Sequence, residues 1–292
     1  MKPLYIALFL GLIFSACTSK VTETSEASLV EQVNTNKGKL FIIGGGKRPP
    51  SLVKRLGEEA NLGKDNNYAV VLPMSSSEPD TSAYYGCKQF TDLGYTAIFP
   101  KDIANSVAPH TSLLDSIRGA KLVYITGGDQ NRFMERVAGT QLIQAIHDCY
   151  KNGGTIAGTS AGAALMSQAM ITGNEKKHPE YNSTFRNIES ENIELAEGLG
   201  LFPEAIIDQH FVKRSRYNRL ISAVIENPSK VGLGIDESTA ILVTEGTKIE
   251  VVGESQVIRM MNKQKSPKVY EDKIGATSIQ LDVFVPGDVF EI

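Results

Sequence analysis

From Lys39 onward, short unbroken apolar runs alternate with segments whose apolar positions recur at helical spacing. The runs are Leu40-Phe41-Ile42-Ile43, Tyr68–Leu72, Tyr95–Phe99, Leu122–Ile125 and Gly154–Ala157. Between them, helical stretches follow Pro50, run from about Glu78 toward Gly94, cover Thr111–Ile117, and extend from about Gly128 to Asn152. A strand that is apolar at successive positions has both faces buried, which is the mark of a parallel sheet covered by helices. The pattern therefore predicts an α/β fold: a mostly parallel sheet with helices on both faces, and functional loops beyond the strand C-termini. After Gly232 the texture changes. Ala240–Val243, Lys248–Val252 and Gln256–Ile258 are short strands parted by turns at Gly246 and Gly253. They predict an antiparallel C-terminal extension of the same sheet. No internal repeat and no second linker interrupts the chain, so residues 39–292 read as one domain.

The first 38 residues stand apart from this pattern. Lys2 precedes an apolar run, Leu4–Phe14, of signal-peptide length, and Ser15-Ala16-Cys17 follows. Small residues just before a cysteine resemble a bacterial lipoprotein signal, so residues 1–17 are expected to be a leader with Cys17 as the lipidated residue. Phe14 stands where an aliphatic residue is usual. Residues 18–38 are rich in Ser, Thr, Glu, Asn and Lys and read as a flexible tether. The expectation is an exported protein, lipid-anchored to the periplasmic or cell-surface side of a bacterial membrane.

Composition narrows the chemistry. The 292 residues carry a formal charge of −3 and 41% apolar residues, enough for a large core and without a dominant basic stretch. Nucleic-acid partners are therefore not expected. Beyond Cys17 only Cys87 and Cys149 remain. Both fall in helical segments and read as free thiols, and no C-x-x-C spacing suggests a metal. The glycine-rich turns Gly44-Gly45-Gly46-Lys47 and Gly127-Gly128 match neither nucleotide fingerprint, so no cofactor is expected. The first reads as a close-packed loop at the mouth of a site, with Lys47 uncommitted.

Gly158-Thr159-Ser160-Ala161-Gly162-Ala163 follows the last parallel strand. Small residues on both sides of Ser160 permit a sharp strand-to-helix turn that presents its hydroxyl as a nucleophile. Such a serine needs a base. Of the four histidines, His110, His147 and His178 sit in ordinary helical or loop contexts. His210 ends the apolar segment Ala205–Ile207 within Asp208-Gln209-His210-Phe211, where it can face a site. Either Asp236 or Glu237, at another strand end, can supply the orienting acid. Strand alternation puts Asp208 on the side of His210, facing substrate. Oxyanion donors would be the Ala161 N–H and an N–H of Gly128 or Asp129. Arg214, Arg216 and Arg219, next to Lys213, suit carboxylate recognition, or else form a solvated basic helix face; on a helix Arg216 and Arg219 share a side.

Taken together, Phe41–Gly46, Thr126–Gln130, Gly158–Ala163, Asp208–Phe211 with its arginines, and Gly234–Ala240 resemble the serine peptidase family of cyanophycinase and dipeptidase E. They span nearly the whole domain in one order, and the histidine-arginine block favours the cyanophycinase branch. The resemblance implies a fold related to class I glutamine amidotransferases, with Ser160 where those enzymes carry cysteine. It implies Ser160 as nucleophile, His210 as base and Glu237 as third member. It further implies a substrate pocket of Gln130, Asp208, Gln209, Arg214, Arg216 and Arg219. The expected substrate is a peptide or a cyanophycin-like polymer, a poly-aspartate with arginine on each side-chain carboxyl, cut at β-aspartyl-arginine or related isopeptide bonds. Asp208 would grip the guanidinium and the arginines the carboxylates. The order Ser, His, Glu is not that of α/β-hydrolase esterases. An aspartyl dipeptidase on α-linked Asp-Xaa peptides and a non-catalytic ligand-binding lipoprotein are the alternatives; a homodimer is admissible. The polar segment 173–192 is a candidate specificity loop.

Overall fold

The computed structural model describes Met1, residues 38–102 and residues 111–292. The expected leader with Cys17, nearly all of the tether, and His110 lie outside the described residues. The five apolar runs are parallel strands: β1 (Lys39–Ile43), β2 (Ala69–Leu72), β3 (Ile98–Pro100), β4 (Leu122–Ile125) and β5 (Thr155–Thr159). Between and after them come α1 (Pro50–Glu59), α2 (Pro79–Thr91), α3 (Thr111–Arg118), α4 (Gln130–Val137), α5 (Leu142–Lys151) and α6 (Ala161–Ala164). Then follow the hairpin β6 (Ala169–Glu175) and β7 (Ile193–Glu197), β8 (Ala205–Gln209), α7 (Tyr217–Glu226) and β9 (Val231–Ile235). The chain closes with β10 (Thr239–Thr244), β11 (Lys248–Gly253), β12 (Val257–Asn262), β13 (Lys268–Tyr270), β14 (Lys273–Gly275), β15 (Ile279–Phe284) and β16 (Val289–Glu291).

Alternation within the strands divides the core. Leu40 and Ile42 of β1 join Leu114, Phe133 and Ile146 from α3, α4 and α5. Phe41 and Ile43 point the other way, toward Leu52 and Leu56 of α1 and Phe90 of α2. Each such side chain removed from water contributes about 1.5–3 kcal/mol, so both faces hold their helices firmly. Cys149 lies in the first cluster, and Cys87 packs against the second, across the sheet. Both are free thiols.

The main sheet has the order β16-β11-β10-β1-β5-β4-β2-β3, with β10, β11 and β16 antiparallel. One expectation is corrected here. The third strand of the meander, β12, does not extend this sheet. It pairs with β9 and β15 in a second sheet of order β15-β12-β9-β8. Both faces of β12 carry apolar residues that find cover. Val257 joins the main core, while Ile258 and Met260 pack with Leu220 and Val224 of α7. A strand of that kind needs a partner within a covered sheet, whereas the edge of the main sheet is taken by β16.

The two sheets meet where β9 runs into β10. Residues 236–238 cross from one to the other, and β1 ends beside that crossing. Ile43 pairs with Thr159 on one side and with Ala240 on the other. The loop after β1 therefore lies between the turn that carries Ser160 and the turn that carries Glu237.

Candidate active site

Gly44, Gly45 and Gly46 are the backbone hub of this region. The Ile43 carbonyl accepts from the Ser160 N–H (3.0 Å), the Gly44 carbonyl from the His210 N–H (2.7 Å), and the Gly45 carbonyl from the Ser238 N–H (3.0 Å). Side chains would not fit. A Cβ on Gly45, where φ is +103°, would stand 2.5 Å from the His210 ring, and one on Gly46 would stand 2.7 Å from the Glu237 Cβ. Glycine is required here for close approach and for a backbone angle that other residues avoid.

Ser160, His210 and Ser238 all hold positive φ, at 54°, 49° and 56°. Such angles in non-glycine residues concentrate where a fold must aim a side chain. Ser160 caps α6, which is a single turn of four residues rather than a full helix. Its hydroxyl lies 2.9 Å from His210 Nε2. On the other side of the ring, Nδ1 lies 2.6 Å from Glu237 Oε1. An ionised carboxylate can only accept, so Nδ1 carries the proton and Nε2 is left to accept from Ser160. His210 is 7% exposed. Burial is the main cause that pulls its pKa below the usual histidine value, with Arg214 and Arg216 acting in the same direction and Glu237 opposing. Of the two carboxylates left open by the sequence, Glu237 is the one at the ring. Asp236 instead accepts from the Lys213 N–H (2.9 Å) and Ser255 Oγ (2.8 Å), tying the crossing to its neighbours.

The oxyanion donors separate in the same way. The Asp129 N–H is taken by the Ser75 carbonyl (2.8 Å), so Asp129 is removed as a backbone donor. Its carboxylate caps α4, accepting from the N–H groups of Asn131 (2.8 Å) and Arg132 (3.4 Å). The N–H groups of Gly128 and Ala161 have no hydrogen-bond partner among the described residues. Gly128, at φ +141°, leaves no room for a Cβ, which would lie 2.2 Å from the Ser75 oxygen.

Next to Ser160 lies a cavity of about 230 Å³ whose walls include Gly128, Gln130, Gln209, Arg214, Arg216 and Arg219. Asp208 is not among them, and its expected role is corrected. It is 0% exposed, and Arg219 grips both its oxygens through Nε (2.6 Å) and Nη2. The guanidinium that Asp208 holds belongs to the protein itself. Arg216 and Arg219, 3% and 2% exposed, are likewise not a solvated helix face. Arg216 precedes α7 and donates through Nη1 to the backbone and side-chain oxygens of Gln209, both at 2.8 Å. Its Nε is buried and has no hydrogen-bond partner among the described residues. Burial, with Arg219 beside it, pulls the Arg216 pKa down to about 10, which still leaves it charged at neutral pH. Gln130 spends its amide N–H groups on the carbonyls of Ile171 (2.9 Å) and Thr172 (2.6 Å), so it anchors β6 as well as lining the cavity.

The polar segment 173–192, which is the end of β6 and the loop that follows it, borders this cavity through Gly173, Asn174 and Tyr181. It is held by Thr184 Oγ1 on the Arg214 carbonyl (2.7 Å) and by Glu189, which pairs with His178 (2.7 Å) and Lys273 (2.6 Å). Those two partners hold the Glu189 carboxyl down to about 2. His147 meets the Leu199 carbonyl at 2.6 Å, so neither it nor His178 is at the serine. Sequence reasoning missed Asn131 and Thr172 as wall residues of the arginine cavity, and Arg48, Tyr124 and Thr159 beside Ser160, whereas Tyr181 falls in the segment 173–192 expected to set specificity. Tyr124, the sole aromatic in the strand Leu-Val-Tyr-Ile, was the available signal. A larger cavity of about 620 Å³, between α2 and the β3 edge, contains neither Ser160 nor His210.

Residues 40–251 match peptidase family S51. A cyanophycinase of Nostoc sp. is 31% identical over 238 residues, covering 79% of this chain and 77% of that protein. A cyanophycinase of Geminocystis herdmanii is 31% identical over 225 residues, covering 75% of this chain and 80% of that one. The crystal structure of a peptidase from an acI-B1 Actinobacterium superposes with a TM-score of 0.62 at 22% identity, covering 88% of this chain and 97% of that chain, and so shares the fold. The match over most of the domain, together with these relatives, places the chain in peptidase family S51, as a serine peptidase.

Proposed function

We propose that the protein is an exopeptidase in which Ser160 attacks an amide carbonyl, His210 carries the proton and Glu237 holds the imidazole in the required tautomer. The observation that carries this reading is the unbroken chain Ser160–His210–Glu237, at 2.9 and 2.6 Å, at the edge of a cavity walled by three arginines. The Gly128 and Ala161 N–H groups are the proposed donors to the oxyanion that develops on attack. The neutral His210 favoured by burial is the form a general base must have.

The arginines point to the acyl side of the substrate. Three guanidinium groups stand against two carboxylates: Asp208, which Arg219 already occupies, and Asp129 in the cavity wall, which caps α4. The surplus positive charge suits a carboxylate-bearing acyl group. An aspartyl-rich polymer such as cyanophycin supplies that chemistry, and the names of the relatives point the same way. Protein lacking residues 1–17 is expected to release β-Asp-Arg from cyanophycin, and a serine-reactive phosphonate is expected to label Ser160. Cleavage of Asp-Xaa dipeptides with no action on the polymer would make it a dipeptidase instead. Ligand binding without turnover or labelling would remove the enzyme reading. For the leader we infer export and lipidation at Cys17. Radiolabelled palmitate should enter the intact chain and not the Cys17→Ala variant.

A further inference from the structure

A second cavity shares Ser160 with the first. It encloses about 160 Å³, and its walls include Ser160 and His210 together with Arg48, Tyr85, Tyr124 and Thr159. Ser160 is the one residue common to this wall and to that of the arginine cavity, and His210 belongs to this wall alone.

The wall holds two buried hydroxyl side chains and one charge with no acidic partner among the described residues. Tyr124 and Thr159 are 1% and 4% exposed, and their hydroxyls have no hydrogen-bond partner among the described residues. Arg48 adds a charge. It is fixed by Nε on Gln89 Oε1 (2.7 Å) and Nη1 on the Gly46 carbonyl (3.1 Å), both neutral acceptors. Among the described residues it has no carboxylate partner.

We propose that this cavity is the leaving-group side of the site, and that it takes a residue bearing a carboxylate, which Arg48 binds. The inference rests on the assignment of Ser160 and His210 above. The group that protonates the departing nitrogen must face it, and the imidazole faces this cavity. As Ser160 Oγ bonds to the carbonyl carbon, its proton moves to His210 Nε2. The C–N bond then breaks, and the same proton goes to the nitrogen. Water next occupies the vacated place, gives a proton to Nε2 as its oxygen bonds to the acyl carbon, and the ester C–Oγ bond breaks, with the proton returning to Oγ. Amine and water thus use one location in turn. A water occupies about 30 Å³ of liquid, so the cavity holds one small residue or a few waters. Any longer leaving chain has to pass out over Tyr85, which is 59% exposed.

The test compares two substrates with the same acyl part, one releasing aspartate and one releasing alanine. In the wild type kcat/KM should favour the aspartate leaving group. In Arg48→Ala that preference should fall about tenfold or more, and Arg48→Lys, which keeps the charge, should restore part of it. A preference unchanged in Arg48→Ala, or both substrates slowed equally, would overturn the proposal. Phosphonate labelling of Ser160 in the wild type separates the two layers. If the serine labels and the preference does not move, only the leaving-group assignment fails. If it does not label, the nucleophile and this assignment fall together.

Discussion

At the scale of single residues, the site depends on groups whose environments leave them one role each. Ser160→Ala should lower kcat by about 10⁶-fold, as in other serine triads, while the circular dichroism spectrum stays native. Glu237→Gln keeps the shape but offers Nδ1 a partner that no longer fixes the tautomer. A loss of about 10⁴-fold is expected from single-turnover rates. Because burial depresses the His210 pKa, the base stays neutral to lower pH than an exposed histidine. The acid limb of kcat/KM should therefore have its midpoint below the ordinary value of about 6.5, and a midpoint above that value would contradict the buried imidazole. Arg219→Ala is a stability experiment. It strands the Asp208 carboxylate at 0% exposure, with only the Arg216 Nη1 at 3.8 Å and the Gln209 N–H at 2.7 Å nearby. Breaking a buried pair in this way costs about 3–5 kcal/mol, to be read from urea unfolding.

At the scale of elements, the loop after β1 governs the geometry. Gly45→Ala puts a methyl group within 2.5 Å of the His210 ring at a φ of +103°. The ring must retreat, and a displacement of about 1 Å in a catalytic group lowers rates by about 10²-fold. The variant is expected to bind substrate-sized ligands but turn over at least that much more slowly. This scale also shows what the chain discloses beforehand. β1, β2, β4 and β5 were readable because unbroken apolar runs have few other fates, and the Ser160 turn was readable because small residues flank it. Strand partners were not. β12 has the same local texture as β10 and β11, and its choice of β9 depends on which edge is already filled. Asp208 was misread for a related reason. Alternation gives the side of a strand but not what packs there, and Arg219, eleven residues later on α7, reaches it only once the helix folds back. Arg48 sat beside the noticed Lys47, and nothing local distinguished them.

At the scale of the whole molecule, the catalytic parts come from two sheets joined at one crossing. β5 brings the nucleophile, β8 the base and the β9–β10 crossing the carboxylate, and the end of β1 with the loop after it touches all three. The helices keep the two cysteines on opposite faces. Protein lacking residues 1–17 should therefore show two free thiols after denaturation and no internal disulfide in non-reducing mass analysis. Burial pushes the Cys149 thiol up to about 12, so Cys149 should resist alkylation in the native state.

The three glycines after β1 have one further consequence. Because that loop already touches the imidazole and the glutamate, it is a part of the protein that natural variation cannot decorate. New preferences can be acquired only at the periphery: through the segment that carries Tyr181 on one flank, and through position 48 on the other. Homologues with altered diets should thus differ at those two rims while retaining the same bare glycine hinge between them.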